Sequence, residues 1–151
     1  MSLTWTPDLD TGIAVIDDQH RRLVDYVNQL ETVRSQGDLP TVGRVLDDLV
    51  DYTISHFAFE ETLLEESGYA YLKAHKRVHQ LFTRRVEEYR ERFKRGEDVG
   101  SEIHRLLSSW LLNHIKHDDG DYVATVSPQI KETLDEQKNA GWLTRALGRF
   151  F

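Results

Sequence analysis

From about residue 18 onward, apolar side chains recur three and four positions apart, the period of a helix with one buried face. The first helix is expected over about Asp18–Ser35, with Leu23, Val24, Val27 and Leu30 inward, Asp17 as N-cap and Gly37 as the stop. The second begins near Pro40, a residue tolerated in a first turn, and runs to about Glu66. Its stripe is Val42, Val45, Leu46, Leu49, Tyr52, Thr53, His56, Leu63 and Leu64, and Gly68 ends it. The third covers about Ala70–Lys94 through Leu72, His75, Val78, His79, Phe82, Val86, Tyr89 and Phe93, followed by Gly96. The fourth starts after Ser101, a good N-cap, and carries Ile103, Leu106, Leu107, Trp110, Leu111, His114 and Ile115, with Gly120 just past its expected end. Short connections make neighbouring helices antiparallel. The fold expected is therefore all-α, an up-down-up-down four-helix bundle.

The ends of the chain read differently. Residues 1–17 form an expected extended arm, because Trp5, Pro7 and Gly12 oppose a helix, while Trp5, Ile13, Val15 and Ile16 can pack it onto the body. A further helical segment is expected after Pro128. Residues 141–151 place Trp142, Leu143, Ala146, Leu147 and Phe150 at helical spacing, with Thr144, Arg145 and Arg149 opposite. We therefore divide the chain into a bundle with its arm, residues 1–138, and a short amphipathic C-terminal helix, residues 139–151. That helix is too short to span a bilayer. It is expected either to dock on a membrane surface or a protein partner, or to fold back onto the bundle.

A length of 151 residues suits this one-domain reading. A formal net charge of −7 without a basic patch argues against nucleic acid as a partner. The first residues carry no basic run followed by an apolar one, so no secretory signal is expected, and a cytoplasmic location is. With no cysteine, any metal must be held by histidine and carboxylate.

Those residue types are where the helical stripes stop being ordinary core. The chain has seven histidines, and five fall on the apolar faces: His20 on the first helix, His56 on the second, His75 and His79 on the third, His114 on the fourth. A single such histidine would more often be a hydrogen-bonded core residue; the joint pattern favours a metal. Residues four apart stand over one another, so His56 with Glu60, and His75 with His79, can reach one small volume. Asp119 lies five residues after His114, about 140° around an ideal helix, and can join only if the helix ends or distorts there. Asp118, four residues on, is the geometric rival. Glu61 is expected to face solvent, and His104 and His117 to be solvated surface residues. Five imidazoles, two bridging carboxylates and one solvent-derived oxygen bridge fall one bond short of filling two six-coordinate metals. This donor set suits Fe, Mn or Zn.

His20, then His56-x-x-x-Glu60, then His75-x-x-x-His79, then His114-x-x-x-x-Asp119, in that order on four helices, resembles the hemerythrin family, its single-domain bacterial members most closely. The phrases Ile16-Asp17-Asp18-Gln19-His20, His56-Phe57-Ala58-Phe59-Glu60-Glu61 and Trp110-Leu111-Leu112-Asn113-His114-Ile115 match too, and the likeness covers about residues 3–125. The resemblance implies two iron ions (Fe2+/Fe3+) with a bridging oxo or hydroxo group. His75, His79 and His114 would hold one, His20 and His56 the other, which keeps an open position, and Glu60 and Asp119 would bridge. It favours Asp119 over Asp118. It implies an apolar oxygen pocket of Leu23, Phe57, Trp110, Leu111 and Ile115. The function implied is reversible dioxygen binding by a non-enzymatic carrier, store or delivery protein, for which an oxygen-consuming protein could be the partner reached through residues 141–151. The alternatives on the same site are an oxygen or redox sensor and a di-iron oxidase, peroxidase or nitric-oxide-handling enzyme.

Overall fold

The computed structural model describes residues 3–126 and 128, and the expected segment after Pro128, the 138/139 boundary and the tail at 141–151 lie outside the described residues. Four helices carry the fold: α1 (Ala14–Ser35), α2 (Leu39–Glu66), α3 (Leu72–Lys94) and α4 (Gly100–Asn113). There are no strands among the described residues. The four-helix bundle is the architecture expected.

The helix ends explain where the sequence was read well and where it was not. At α2, Asp38 caps the helix: its carboxylate accepts from the Thr41 backbone N–H at 3.2 Å and from the Thr41 hydroxyl at 2.6 Å. At the other end, Gly68 takes φ of +70°, and the N–H groups of Gly68 and Tyr69 donate to the carbonyls of Glu65 and Leu64. This is the left-handed stop that glycine makes cheaply. Gly96 repeats it after α3.

Three expectations need correction. First, α1 begins at Ala14, with Asp17 one turn inside rather than at the cap. The buried Asp17 carboxylate reaches back to accept from the Thr11 N–H (2.8 Å), the Thr11 hydroxyl (2.7 Å) and the Gly12 N–H (3.1 Å), fixing the loop that enters the helix. Second, α4 begins at Gly100 without a side-chain cap, so Ser101 lies inside it. Buried Val99 and Ile103 place that start by packing, and the Ile103 N–H donates to the Val99 carbonyl. Third, Gly120 is not a stop. The chain continues from α4 into a π turn, His114–Asp119, and then a 3-10 turn, Gly120–Tyr122. The remaining differences are small: α3 starts at Leu72 rather than Ala70, and Pro7–Leu9 forms a 3-10 turn within the arm.

The arm is held at both ends. The Leu3 backbone N–H and C=O pair with the Asn28 side-chain amide, Leu9 is buried, and the Lys116 ammonium meets Asp8 at 2.7 Å.

Two apolar clusters fill the interior. The larger includes Leu23, Val27, Leu46, Leu49, Phe57, Phe82, Leu107, Leu111 and Ile115. The smaller joins Ile13, Ile16, Phe59, Leu63, Leu64, Tyr122 and Val126. His20 falls between Ile16 and Leu23 on α1, and Glu60 between Phe59 and Leu63 on α2, so a polar layer is set between two apolar ones. Among the described residues, no helix is long and apolar enough to cross a membrane.

Candidate metal centre

All seven residues singled out as ligands converge in that polar layer. They are buried, with His75 keeping the most exposure at 5% and the other six at 2% or less. Their side-chain atoms form two groups that could each hold a metal ion. One is Glu60, His75, His79, His114 and Asp119; the other is His20, His56, Glu60 and Asp119. The two carboxylates belong to both.

The distances show how the sharing works. Glu60 turns Oε1 toward Nε2 of His75 (2.6 Å) and of His79 (3.2 Å), and Oε2 toward Nε2 of His56 (3.3 Å) and of His20 (3.7 Å). Asp119 turns Oδ1 toward Nε2 of His75 (3.1 Å) and of His114 (3.1 Å), and Oδ2 toward Nε2 of His20 (3.0 Å). Each carboxylate thus gives one oxygen to each half. One half has three imidazoles, the other two.

Asp119 enters this cluster because the helix widens. In a π turn the bonds close from i to i+5, which is the spacing from His114 to Asp119. Asp118 takes a different place: its carboxylate accepts from His114 Nδ1 at 2.8 Å, behind the ring. The two acids that competed on sequence grounds lie on opposite nitrogens of one imidazole.

Other buried groups back the cluster. The Gln19 side-chain carbonyl accepts from His56 Nδ1 at 2.7 Å, if that nitrogen carries the proton. The Tyr122 hydroxyl donates to Glu60 Oε2 at 3.0 Å. Such outer partners fix ring orientation and which nitrogen faces inward. Neither Gln19 nor Tyr122 was picked out from the sequence. Tyr122 sits one turn beyond Asp119, but nothing in its spacing separates it from plain core. Glu61 was expected in solvent; it is half-buried, with Oε1 3.9 Å from His79 Nδ1, and burial raises its carboxyl pKa. His104 was also expected in solvent. Its side chain is only 13% exposed, 3.7 Å from Glu31, because α4 packs that turn against α1, and burial lowers its pKa. His117 is exposed, as expected.

Of the five expected pocket residues, Leu23, Phe57, Leu111 and Ile115 are buried and Trp110 is half-buried. The two rings lie flat on the half with three imidazoles. Phe57 stacks on His79 at 3.8 Å between centroids, and Trp110 on His114 at 4.3 Å.

Electrostatics shows how tightly charge is confined. Burial pushes the Glu60 carboxyl up, but His20, His56, His75 and His79 outweigh it and hold it well below the usual carboxylate range. Burial and Glu60 likewise raise Asp119, and His114 and His20 reverse that. Burial opposes charge on His20, His75 and His114, yet the two carboxylates win (Asp118 helping at His114) and raise them to about 9, about 9 and about 10. Burial dominates at His79, which falls to about 4, and at His56, which is lowered too. His79 Nε2 lies 3.0 Å from His114 Nε2, an approach that needs a shared proton or cation between them. Tyr122 is pushed well above its usual value by burial and by Glu60 and Asp119, so it stays a donor.

A helical bundle whose interior carries carboxylates shared between two clusters of imidazoles defines a class, that of bundle proteins with a candidate bridged metal site. The comparisons narrow it. The family model of the hemerythrin HHE cation binding domain matches residues 11–126. The chain is 50% identical to the bacteriohemerythrin of Pseudomonas aeruginosa (strain LESB58) over 149 residues, 99% of this chain and 97% of the relative. It is 49% identical, over the same shares, to that of Stenotrophomonas maltophilia (strain R551-3). A solved wild-type hemerythrin crystal structure superimposes with a TM-score of 0.80 at 34% identity, covering 83% of this chain and 98% of that one. The chain belongs to the hemerythrin family.

Proposed function

We propose that this chain holds two iron ions with a bridging oxo or hydroxo group and binds dioxygen reversibly, as a carrier, store or delivery protein. The residues fit such a pair. The donors are imidazole and carboxylate without thiolate, a set that suits iron. Both oxygens of Asp119 and both ring nitrogens of His20 are buried without a well-formed hydrogen bond, although Asp119 and the imidazoles approach to 3.0–3.1 Å. Buried polar atoms rarely stay unpartnered, and a cation would satisfy them. The observation that carries the reading is the division of oxygens: Glu60 and Asp119 each face both halves.

In this reading His75, His79 and His114 would hold one ion and His20 and His56 the other, with Glu60 and Asp119 shared by both. With two imidazoles against three, the ion beside His20 and His56 would have fewer protein donors and could accept a small neutral ligand. Iron held there would supply the electrons that reversible dioxygen binding requires. The protein's part is to keep that exchange reversible. Leu23, Phe57, Trp110, Leu111 and Ile115 wall the layer with apolar bulk and exclude water and external acids. Gln19 and Asp118 hold His56 and His114 in register.

The test is the optical spectrum of the iron-loaded, reduced protein before and after air. Colour that appears with oxygen and fades under argon, over repeated cycles, is expected. A single irreversible change would replace this reading with an oxidase, and an iron-loaded protein with no visible band would remove the oxygen chemistry altogether.

A further inference from the structure

A cleft of about 310 Å³ opens between α3 and the π turn. Its lining includes Tyr69, Tyr71, Ala74, His75, Asp118 and Asp121. Its position is what matters. Six of the seven clustered residues are at most 2% exposed; His75, the seventh, keeps 5% and forms part of this cleft. Asp118, at the same cleft, lies directly behind His114. The cleft therefore reaches the half with three imidazoles from solvent, through two residues that touch it.

Two carboxylates stand at the rim. Asp118 and Asp121 both line it. Lys116, the cation on the same turn, is turned to Asp8 on the arm at 2.7 Å and is neutralised there. Tyr69 and Tyr71 also line the cleft, and aromatic rings tolerate a nearby positive charge. Carboxylates at the mouth of a cleft raise the local concentration and arrival rate of cations, and the charge on His75 at its floor is matched by Glu60 and Asp119.

We propose that this cleft is the port through which divalent metal cations reach the buried site, with Asp121 drawing the hydrated ion in and Asp118 passing it to His75. The inference rests on the metal-binding reading above but not on any oxygen chemistry. Asp121 belongs to neither of the two groups of side chains that could hold an ion, so its role is steering and not holding.

The experiment mixes metal-free full-length protein with Co2+ in stopped flow and follows quenching of tryptophan fluorescence, to which Trp110 contributes from its stack on His114. D121N should load about three- to fourfold more slowly at low ionic strength, the effect of one charge on a divalent ion about 10 Å away in water. The difference should vanish at high salt, with final stoichiometry unchanged. E88Q, the same charge change at an exposed site about 20 Å further along α3, is the control. A74F, which adds bulk at an exposed lining position, should slow loading at every salt concentration. Loading of D121N as fast as the parent, or slowed no more than E88Q, overturns the port. Failure of the parent to take up Co2+ at all would instead overturn the metal reading.

Discussion

Tyr122→Phe removes one oxygen and little else, which makes its cost calculable. The Tyr122 ring is fully buried among Ile13, Ile16, Phe59, Leu63 and Val126, so phenylalanine refills the same space and leaves no cavity of consequence. The lost interaction is a hydrogen bond to an ionised carboxylate, worth about 1.5–3 kcal/mol. Glu60 Oε2 is not orphaned, because His56 Nε2 remains at 3.3 Å and His20 Nε2 at 3.7 Å. The lower part of that range is therefore expected, about 1.5–2 kcal/mol in the metal-free protein at pH 7. In a chain of this size that lowers Tm by about 3–8 °C. Urea unfolding should show a lower midpoint with the slope unchanged. Tyr71→Phe, at a 70% exposed tyrosine, should stay within about 0.5 kcal/mol of the parent. A Tyr122→Phe protein that unfolds within the same margin would mean that the hydroxyl does not support Glu60, and the account of the backing residues would fail there.

The other predictions concern the cluster directly. His79→Ala should lose bound iron while His104→Ala keeps it, since only the former faces the carboxylates; equal iron content in the two would refute the ligand assignment. Asp118→Asn and Gln19→Leu should keep the metal stoichiometry but weaken affinity about 10- to 100-fold, as changes behind a ligand do, measured by competition with a chelator. His20, His75 and His114 have folded-state pKa values raised to about 9, about 9 and about 10. The stability they give the metal-free protein is complete below about pH 6.5, the unfolded value, and is lost as pH rises through 9 to 10. Metal uptake at pH 7 must therefore displace protons from these rings, and an indicator dye in weak buffer should register the release. Uptake without acidification would show that the rings are neutral beforehand.

The bundle was legible because its signals are local. Pro40, Gly68 and Gly96 mark ends through backbone conformation, and the apolar stripes mark the buried faces without reference to any other helix. Misreadings arose where a residue of the right type did a different task. Asp17 has the composition of an N-cap, yet its carboxylate folds back on Thr11 and Gly12 from inside the helix. Ser101 looks like a cap, but burial of Val99 decides where α4 starts. The seven clustered residues were legible from helical spacing together with family order. Their backing was not. Gln19 meets His56 across 37 positions of sequence and Tyr122 meets Glu60 across 62, and no periodicity within one helix carries that information.

The turn at 114–119 shows how a departure from regular geometry can do two tasks at once. On an unbroken α-helix Asp118 would stand one turn beneath His114, and Asp119 would point about 140° away from it. One acid would then have to serve both as the shared carboxylate and as the partner of His114 Nδ1. Widening the turn brings Asp119 round until Oδ1 faces His114 and His75 and Oδ2 faces His20. The same widening leaves Asp118 on Nδ1 of the same ring. The acid that joins the two halves and the acid that orients a histidine of one half are thus placed by one local distortion. A π turn is a rare conformation, found mostly as single turns at functional sites. Here its position beside the buried carboxylates gives it a physical reason: five-residue spacing brings Asp119 into the layer while Asp118 stays behind His114, so one turn supplies an imidazole, a shared carboxylate and the acid that orients the ring.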